Sequence, residues 1–196
     1  MRVFINPGHH PGVDPGACAG GYTEADLVQI IGEKVADYLS FLKMDVRSLQ
    51  SDNLCGDSPD YPCVVDEANE WEADIFVSIH LNAAENPDAK GTETLIFEHG
   101  GAAELLAHCI QYHLIDTLNT VDRGIKARPD LIVLNSTDMP AVLVEVCFLT
   151  NPSDRDLLLA RLKDAAAAIA RGIIDANRHF TKKELTFDSA EPLSYT

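Results

Sequence analysis

Apolar residues follow two repeating patterns along this chain of 196 residues. Short unbroken apolar runs predict buried strands near residues 3–5, 44–49, 75–79, 92–97, 131–134 and 141–148. Between these runs, apolar residues at helical spacing predict amphipathic helices that begin near residues 23, 64, 102 and 153. Alternation of strands with such helices is typical of α/β folds. We therefore predict a single domain with about six strands in a mostly parallel, twisted sheet flanked by helices on both faces.

The same patterns predict where the domain ends. Hydrophobic residues make up 46% of the chain, which is enough for one buried core. After residue 180 the helical periodicity is lost. We therefore predict a folded domain at residues 1–180 and a C-terminal tail or linker at residues 181–196.

The charge balance argues against several classes of partner. The formal net charge is −16, from 31 acidic and 15 basic side chains. Nucleic acids and anionic membranes both attract basic surfaces, so we expect neither as a partner. No apolar run is long enough to insert across a bilayer. The first residues reach Pro7 and Gly8 too early for a secretory signal, so we expect a trimmed precursor or another export route such as cell lysis.

The five cysteines do not predict a thiolate metal site, because none forms a Cys-x-x-Cys pair. Cys55 and Cys63 flank a polar, turn-rich loop. They could form a local disulfide if the protein is exported, or they could remain two free thiols. The sequence leaves both alternatives open.

Polar residues interrupt or follow the predicted strands at residues 6–10, 78–82 and 144–146. An ionised carboxylate such as Glu145 is costly to bury inside an apolar run unless it is paired or functional. Two histidines at strand ends with a nearby carboxylate fit the three-ligand pattern of catalytic zinc. His80 is one such histidine, and His9 and His10 are rivals for the other position.

The third ligand cannot be chosen from the sequence pattern. Glu24 stands beside the predicted start of the first long helix, where acidic side chains commonly compensate the helix dipole. By pattern it ranks no higher than Asp14, Asp26 or Glu33.

Four motifs in these segments resemble the zinc-dependent N-acetylmuramoyl-L-alanine amidases of the type-3 amidase family, which includes bacterial autolysins and phage endolysin catalytic domains. The family's opening Asp-Pro-Gly-His-Gly is Asn-Pro-Gly-His-His at residues 6–10, and its Gly-rich loop before a Glu matches residues 20–24. Its Ser-Ile-His-x-Asn-Ala matches residues 78–83, and its long motif around the catalytic Glu matches residues 139–151. The resemblance is colinear over nearly the whole chain.

The resemblance implies a zinc enzyme. By their places in the motifs, His9, Glu24 and His80 would hold one Zn²⁺ ion, and Glu145 would be the catalytic acid/base. Asn82, which follows His80, is expected to contact the substrate. The implied reaction is hydrolysis, by zinc-activated water, of the amide bond between N-acetylmuramic acid and the L-alanine of the stem peptide. Peptidoglycan is thus the expected partner, and the protein would act on the cell wall, outside the cell or after lysis.

Some residues depart from the family pattern near the implied site. Asn6 replaces the usual Asp and is expected to weaken a hydrogen bond that supports a ligand. His10 and Cys147 each replace a Gly, and the loop at residues 52–63 is unusual. Because no proposed ligand is lost, these departures bear on substrate preference more than on reaction class.

Two other functions stay open at the level of sequence. A zinc carboxypeptidase-like peptidase would use a similar metal site and would cut small peptides that lack muramic acid. A non-catalytic module that binds the cell wall could keep the same fold, although the presence of all four implied site residues disfavours it. The oligomeric state is not predicted.

Overall fold

The computed structural model describes the backbone of residues 1–188 as alternating strands and helices. The strands are β1 Arg2–Pro7, β2 Cys18–Ala19, β3 Tyr22–Thr23, β4 Asp45–Ser48, β5 Ile75–Asn82, β6 Thr92–Ile96, β7 Asp122–Ala127 and β8 Ala141–Phe148. The helices are α1 Glu24–Phe41, α2 Val64–Glu70, α3 Gly101–Leu118, α4 Ile132–Asn135 and α5 Pro152–Asp188.

Six of the strands form one sheet in the order β4-β1-β5-β8-β6-β7. Neighbouring strands are parallel except for β8 and β6, which are antiparallel. The carboxyl ends of β1, β5 and β8 therefore lie at the same end of the sheet as the amino ends of β6 and β7; this end is called the shared edge below. The predicted α/β class and the mostly parallel sheet of six strands are confirmed.

One face of the sheet packs against the three long helices. Successive side chains of a strand point to opposite faces, so alternate residues of β1, β5 and β8 meet these helices. The strand residues in this core are Val3, Ile5, Ile75, Val77, Ile79, Val142 and Val144. Full burial of one such side chain stabilises the fold by roughly 1.5–3 kcal/mol, so this face holds the strands in fixed positions.

The opposite face is apolar at one end and polar at the other. Two short helices, α2 and α4, cover the apolar end, where the strand residues are Phe4, Phe76, Leu95, Ala141 and Leu143. Further along the same strands, toward the shared edge, this face carries Asn6, Ser78, His80 and Glu145. The sheet thus presents a row of polar side chains beyond the cover of α2 and α4.

The strand predicted at residues 131–134 is wrong. This run forms the helical turn α4, in which the amides of Leu134 and Asn135 donate to the carbonyl of Leu131 at 3.0 and 3.1 Å. The sixth strand is instead β7, a largely exposed edge strand. A short apolar run fits a helical turn as well as a strand, and an edge strand need not carry an apolar run.

The C-terminal helix continues into the predicted tail. Helix α5 runs to Asp188, so its backbone includes residues 181–188 of the predicted tail or linker. The remainder of that tail, residues 189–196, lies outside the described residues. Within residues 1–188, no helix combines the length and the apolar character that a bilayer crossing requires.

Candidate metal centre

Two adjacent strands and one helix start bring His9, Glu24 and His80 together. His9 follows β1, and His80 lies near the end of β5, which pairs with β1 in parallel. Glu24 is the first residue of α1, whose N-cap Thr23 accepts a hydrogen bond from the amide of Asp26 at 3.2 Å. Parallel strands end at the same edge of a sheet, which is where ligands collect in open α/β folds.

The three side chains form a compact cluster. One nitrogen or oxygen of each of His9, Glu24 and His80 lies within 4.8 Å of the others, and no other such group of three occurs in the part of the chain that the structure describes. His9 Nε2 is 3.1 Å from Glu24 Oε2, and His80 Nδ1 is 3.0 Å from Glu24 Oε1. Two imidazoles and one carboxylate match the donor set of catalytic zinc.

Glu24 is held as an ionised carboxylate. Its side chain is buried, with 3% of the residue exposed. Its Oε1 accepts from the amide of Leu81 and its Oε2 from the amide of Ala17, both at 2.9 Å. Burial alone would raise the pKa of Glu24, but hydrogen bonds from His80 and His9 outweigh it and hold the pKa well below its usual range.

Asp14 orients His9. Its Oδ2 lies 2.6 Å from His9 Nδ1, and its Oδ1 accepts from the amide of Gly16 at 3.0 Å. A carboxylate on one ring nitrogen fixes the ring and presents the other nitrogen to a metal. Burial lowers the pKa of His9, but the hydrogen bonds and charges of Glu24 and Asp14 outweigh burial and raise that pKa to about 9. A cation that binds Nε2 must therefore displace a proton.

Two glycines make room for the imidazole rings. A Cβ atom at Gly8 would lie 2.2 Å from Cε1 of His80. One at Gly16 would lie 2.5 Å from Cδ2 of His9, and Gly16 has a φ of +63°, which disfavours other residues. Both imidazole rings thus pack directly against the backbone of a glycine. The donor set, its spacing and this packing fit a bound divalent cation.

Glu145 lies beside the cluster on the same face of the sheet. Its Cα pairs with that of His80 on β5 and with that of Glu93 on β6. Its Oε2 is buried and has no hydrogen-bond partner among the described residues. Burial is the main cause that raises the pKa of Glu145 to about 7; the charges of Glu24 and Glu93 contribute to this rise, whereas the charge of His80 opposes it. This carboxyl group is therefore poised to gain or lose a proton near neutral pH.

Glu93 is a second buried carboxylate that the sequence analysis missed. Its Oε1 accepts from Asn82 Nδ2 at 3.0 Å, and its Oε2 accepts from Arg123 Nε at 2.6 Å and Lys126 Nζ at 2.5 Å. Burial alone would raise the pKa of Glu93, but the two cations outweigh it and lower that pKa. A glutamate inside a predicted strand was the available signal, as it was for Glu145.

A cavity of about 180 Å³ opens beside His9 and His80. One of its walls is apolar and is built by Leu54, Leu131, Ile132, Val133 and Leu143. Leu54 belongs to the unusual loop at residues 52–63, which is shaped by hydrogen bonds from Asn53 Nδ2 to the carbonyls of Ser58 and Tyr61 at 2.8 Å each. A larger cavity of about 910 Å³, at the end of the sheet where β5 and β8 begin, contains none of the candidate ligands.

The residues that depart from the family pattern lie around the cluster rather than in it. Asn6 donates to the carbonyl of Leu49 at 3.0 Å and accepts from Ser78 Oγ at 2.8 Å. Within the described residues its hydrogen bonds do not reach the three candidate ligands, so the expected weakening of a bond to a ligand is not seen. The ring of His10 packs at 4.9 Å from that of Tyr61, outside the cluster. Of the two rival histidines, the structure therefore brings His9 to the other candidates.

Cys55 and Cys63 are both free thiols. The sulfur of Cys63 caps helix α2 by accepting from the amide of Asp66 at 3.4 Å. The structure thus corresponds to the second alternative that the sequence left open.

Sequence comparison with known proteins supports the family resemblance that the motifs indicate. The sequence profile for N-acetylmuramoyl-L-alanine amidases matches residues 3–175. The chain is 36% identical to the endolysin of Bacillus phage SPP1, over 88% of this chain and 65% of that protein. It is 35% identical to the N-acetylmuramoyl-L-alanine amidase LytC of Bacillus subtilis, over 90% of this chain and 35% of that protein. The chain thus spans less than two thirds of either relative.

A solved structure shares the fold. The N-acetylmuramoyl-L-alanine amidase AmiC2 of Nostoc punctiforme superposes with a TM-score of 0.77 and 30% sequence identity. The superposition covers 91% of this chain and 97% of that one. The similarity in fold therefore extends over most of this chain.

Proposed function

Because this chain belongs to the N-acetylmuramoyl-L-alanine amidase family, we propose that it hydrolyses the amide bond between N-acetylmuramic acid and the L-alanine of the peptidoglycan stem peptide. One observation carries the proposal: the cluster of His9, Glu24 and His80 lies beside Glu145, whose buried Oε2 has no hydrogen-bond partner among the described residues. A metal site next to a proton-accepting carboxylate is the arrangement that hydrolysis of an amide by activated water requires.

His9, Glu24 and His80 would hold a single Zn²⁺ ion. When bound, such an ion lowers the pKa of a coordinated water toward about 7 and polarises a carbonyl group. Glu24 would contribute a negative charge, and Asp14 would keep His9 Nε2 turned toward the ion. Three protein ligands leave a further coordination position for water or substrate.

Glu145 would move the proton. Its Oε2 would accept a proton from the attacking water and pass it to the L-alanine amine of the stem peptide as the bond between that amine and the lactyl carbonyl carbon breaks. The pKa of Glu145, raised by burial to about 7, allows both steps near neutral pH.

We also propose that residues 1–180 form the catalytic domain and that the protein acts on the cell wall. The family match from residue 3 to residue 175 supports the extent of the domain. Two relatives are named as an endolysin and an N-acetylmuramoyl-L-alanine amidase, and these names support the cell wall as the site of action.

Metal removal tests the proposal. Incubation of the protein with purified peptidoglycan should release new N-terminal alanine, and a chelator should abolish that release until Zn²⁺ is added back. Chemical labelling of new amino termini would measure it. Cleavage that persists with chelator would contradict the metal-dependent mechanism. New termini other than alanine would indicate a peptidase, and zinc binding without any cleavage would indicate a wall-binding module.

Asn82 is the proposed substrate contact. Its side chain is fixed by Glu93 Oε1 and by the amide of Ala83, which donates to Asn82 Oδ1 at 2.9 Å. The second amide hydrogen on Asn82 Nδ2 is left for substrate. Asn82→Ala should raise KM for a soluble muropeptide roughly three- to tenfold and change kcat less than about twofold. Steady-state kinetics would measure both, with Asn177→Ala on α5 as the matched control; an unchanged KM would exclude the contact.

A further inference from the structure

The polar row of the candidate site continues across the sheet to two cations. His80 on β5, Glu145 on β8 and Glu93 on β6 lie side by side in register. Beyond them, Arg123 and Lys126 on the edge strand β7 both bind Glu93 Oε2. Across the sheet, the candidate metal ligand His80 on β5 is therefore followed by the acid/base candidate on β8, the buried carboxylate on β6 and the two cations on β7.

The two cations are not equally engaged. Arg123 Nε donates a hydrogen bond to Glu93, and Arg123 Nη1 donates to the carbonyl oxygen of Lys90 at 3.5 Å. The guanidinium carbon of Arg123 also lies 4.8 Å from the ring centroid of Phe148. Lys126 Nζ has only Glu93 as a hydrogen-bond partner among the described residues, and 43% of its side chain is exposed. One carboxylate faces two cations, so the group keeps a net positive charge in a chain whose net charge is −16.

We propose that Lys126, supported by Arg123 and positioned by Glu93, binds a carboxylate of the peptide on the leaving-amine side of the scissile bond. This inference rests on the proposed function. In this proposal the stem peptide, whose alanine amine Glu145 would protonate, runs from Glu145 across the neighbouring strand β6 toward the exposed Lys126 on β7. Peptidoglycan stems are acidic peptides, and an ammonium with donors to spare is suited to bind a carboxylate.

The distances suit a carboxylate close to the scissile bond. Neighbouring strands lie about 4.8 Å apart, so the backbone of β7 is roughly 10 Å from that of β8. An extended residue spans about 3.5 Å, so the second residue of the stem lies within reach of the long side chain of Lys126. The α-carboxylate of a D-glutamate at this second position is the group that Lys126 would recognise.

Kinetics on two matched muropeptides test the inference. The substrates are disaccharide tetrapeptides whose second residue is D-glutamate with its α-carboxylate either free or amidated. The wild-type protein should show a KM roughly fivefold lower for the free acid. Lys126→Met should raise the KM for the free acid to that for the amide, with kcat within about twofold, and Lys126→Arg should restore the preference. Lys163→Met, which removes an exposed lysine from α5, should leave the preference unchanged.

Each contrary result points to a different failure. If Lys126→Met raises both KM values equally, or leaves the preference intact, the carboxylate subsite is wrong while the amidase activity stands. If the wild-type protein with zinc bound cleaves neither muropeptide nor intact peptidoglycan, the proposed function fails and takes the subsite with it.

Discussion

Glu145→Gln should reduce amide hydrolysis by roughly 10²–10⁴-fold while leaving one zinc ion bound. Glutamine keeps the volume and the apolar packing of β8 but cannot accept the proton of an attacking water. Glu145 is absent from the cluster of candidate ligands, so the metal affinity should not change. Release of N-terminal alanine from peptidoglycan and the zinc content of the purified variant would measure the two effects.

The fold should tolerate this change. Oε2 of Glu145 is buried and has no partner among the described residues, so the carboxylate contributes nothing to stability through hydrogen bonds at that atom. The melting temperature of the glutamine variant should therefore equal or exceed that of the wild type. Glu98→Gln, which changes an exposed glutamate after β6, is the matched control. Retained hydrolysis would remove Glu145 from its proposed role, and loss of zinc would make it a ligand instead.

The central strands of the fold were predictable because burial on both faces leaves a continuous apolar run. Strands β5 and β8 carry such runs, which are interrupted by His80 in β5 and by Glu145 in β8. Strand β7 was not predictable from the same rule, since it lies at the edge and is exposed. The apolar run at residues 131–134 is buried by a helical turn that covers one face of the sheet.

The candidate site was predictable only in part, for a related reason. His80 and Glu145 stand out because they interrupt apolar strands, whereas Glu24 looks like any acidic residue in a first helical turn, and the family resemblance was needed to select it. The hydrogen bonds of Asp14 to His9 and of Glu93 to Asn82 could not be predicted from the sequence, because they depend on tertiary structure. Asp14 reaches His9 through a loop, and Glu93 comes beside Glu145 because β6 runs antiparallel to β8.

The position of Glu24 makes it the candidate ligand whose replacement should weaken metal binding the most. Its two oxygens each accept one backbone amide and each face one histidine. Glu24→Gln removes the negative charge and turns an NH₂ group toward the amide of either Ala17 or Leu81. Loss of a hydrogen bond at a buried site costs about 1–3 kcal/mol, so the metal-free variant should unfold more readily than the metal-free wild type.

The larger effect of Glu24→Gln should be on metal binding. Changes to groups that merely support ligands weaken binding by about 10–100-fold, so loss of a ligand should weaken zinc binding by more than about 100-fold and abolish hydrolysis. A ligand at about 100 times its Kd stabilises a protein by about 2.7 kcal/mol. Added zinc should therefore raise the melting temperature of the wild type and of Glu33→Gln, an exposed change on the same helix, but not that of Glu24→Gln. If the glutamine variant bound zinc with wild-type affinity, Glu24 would not be a ligand. Only the two histidines of the cluster would then remain as candidate ligands.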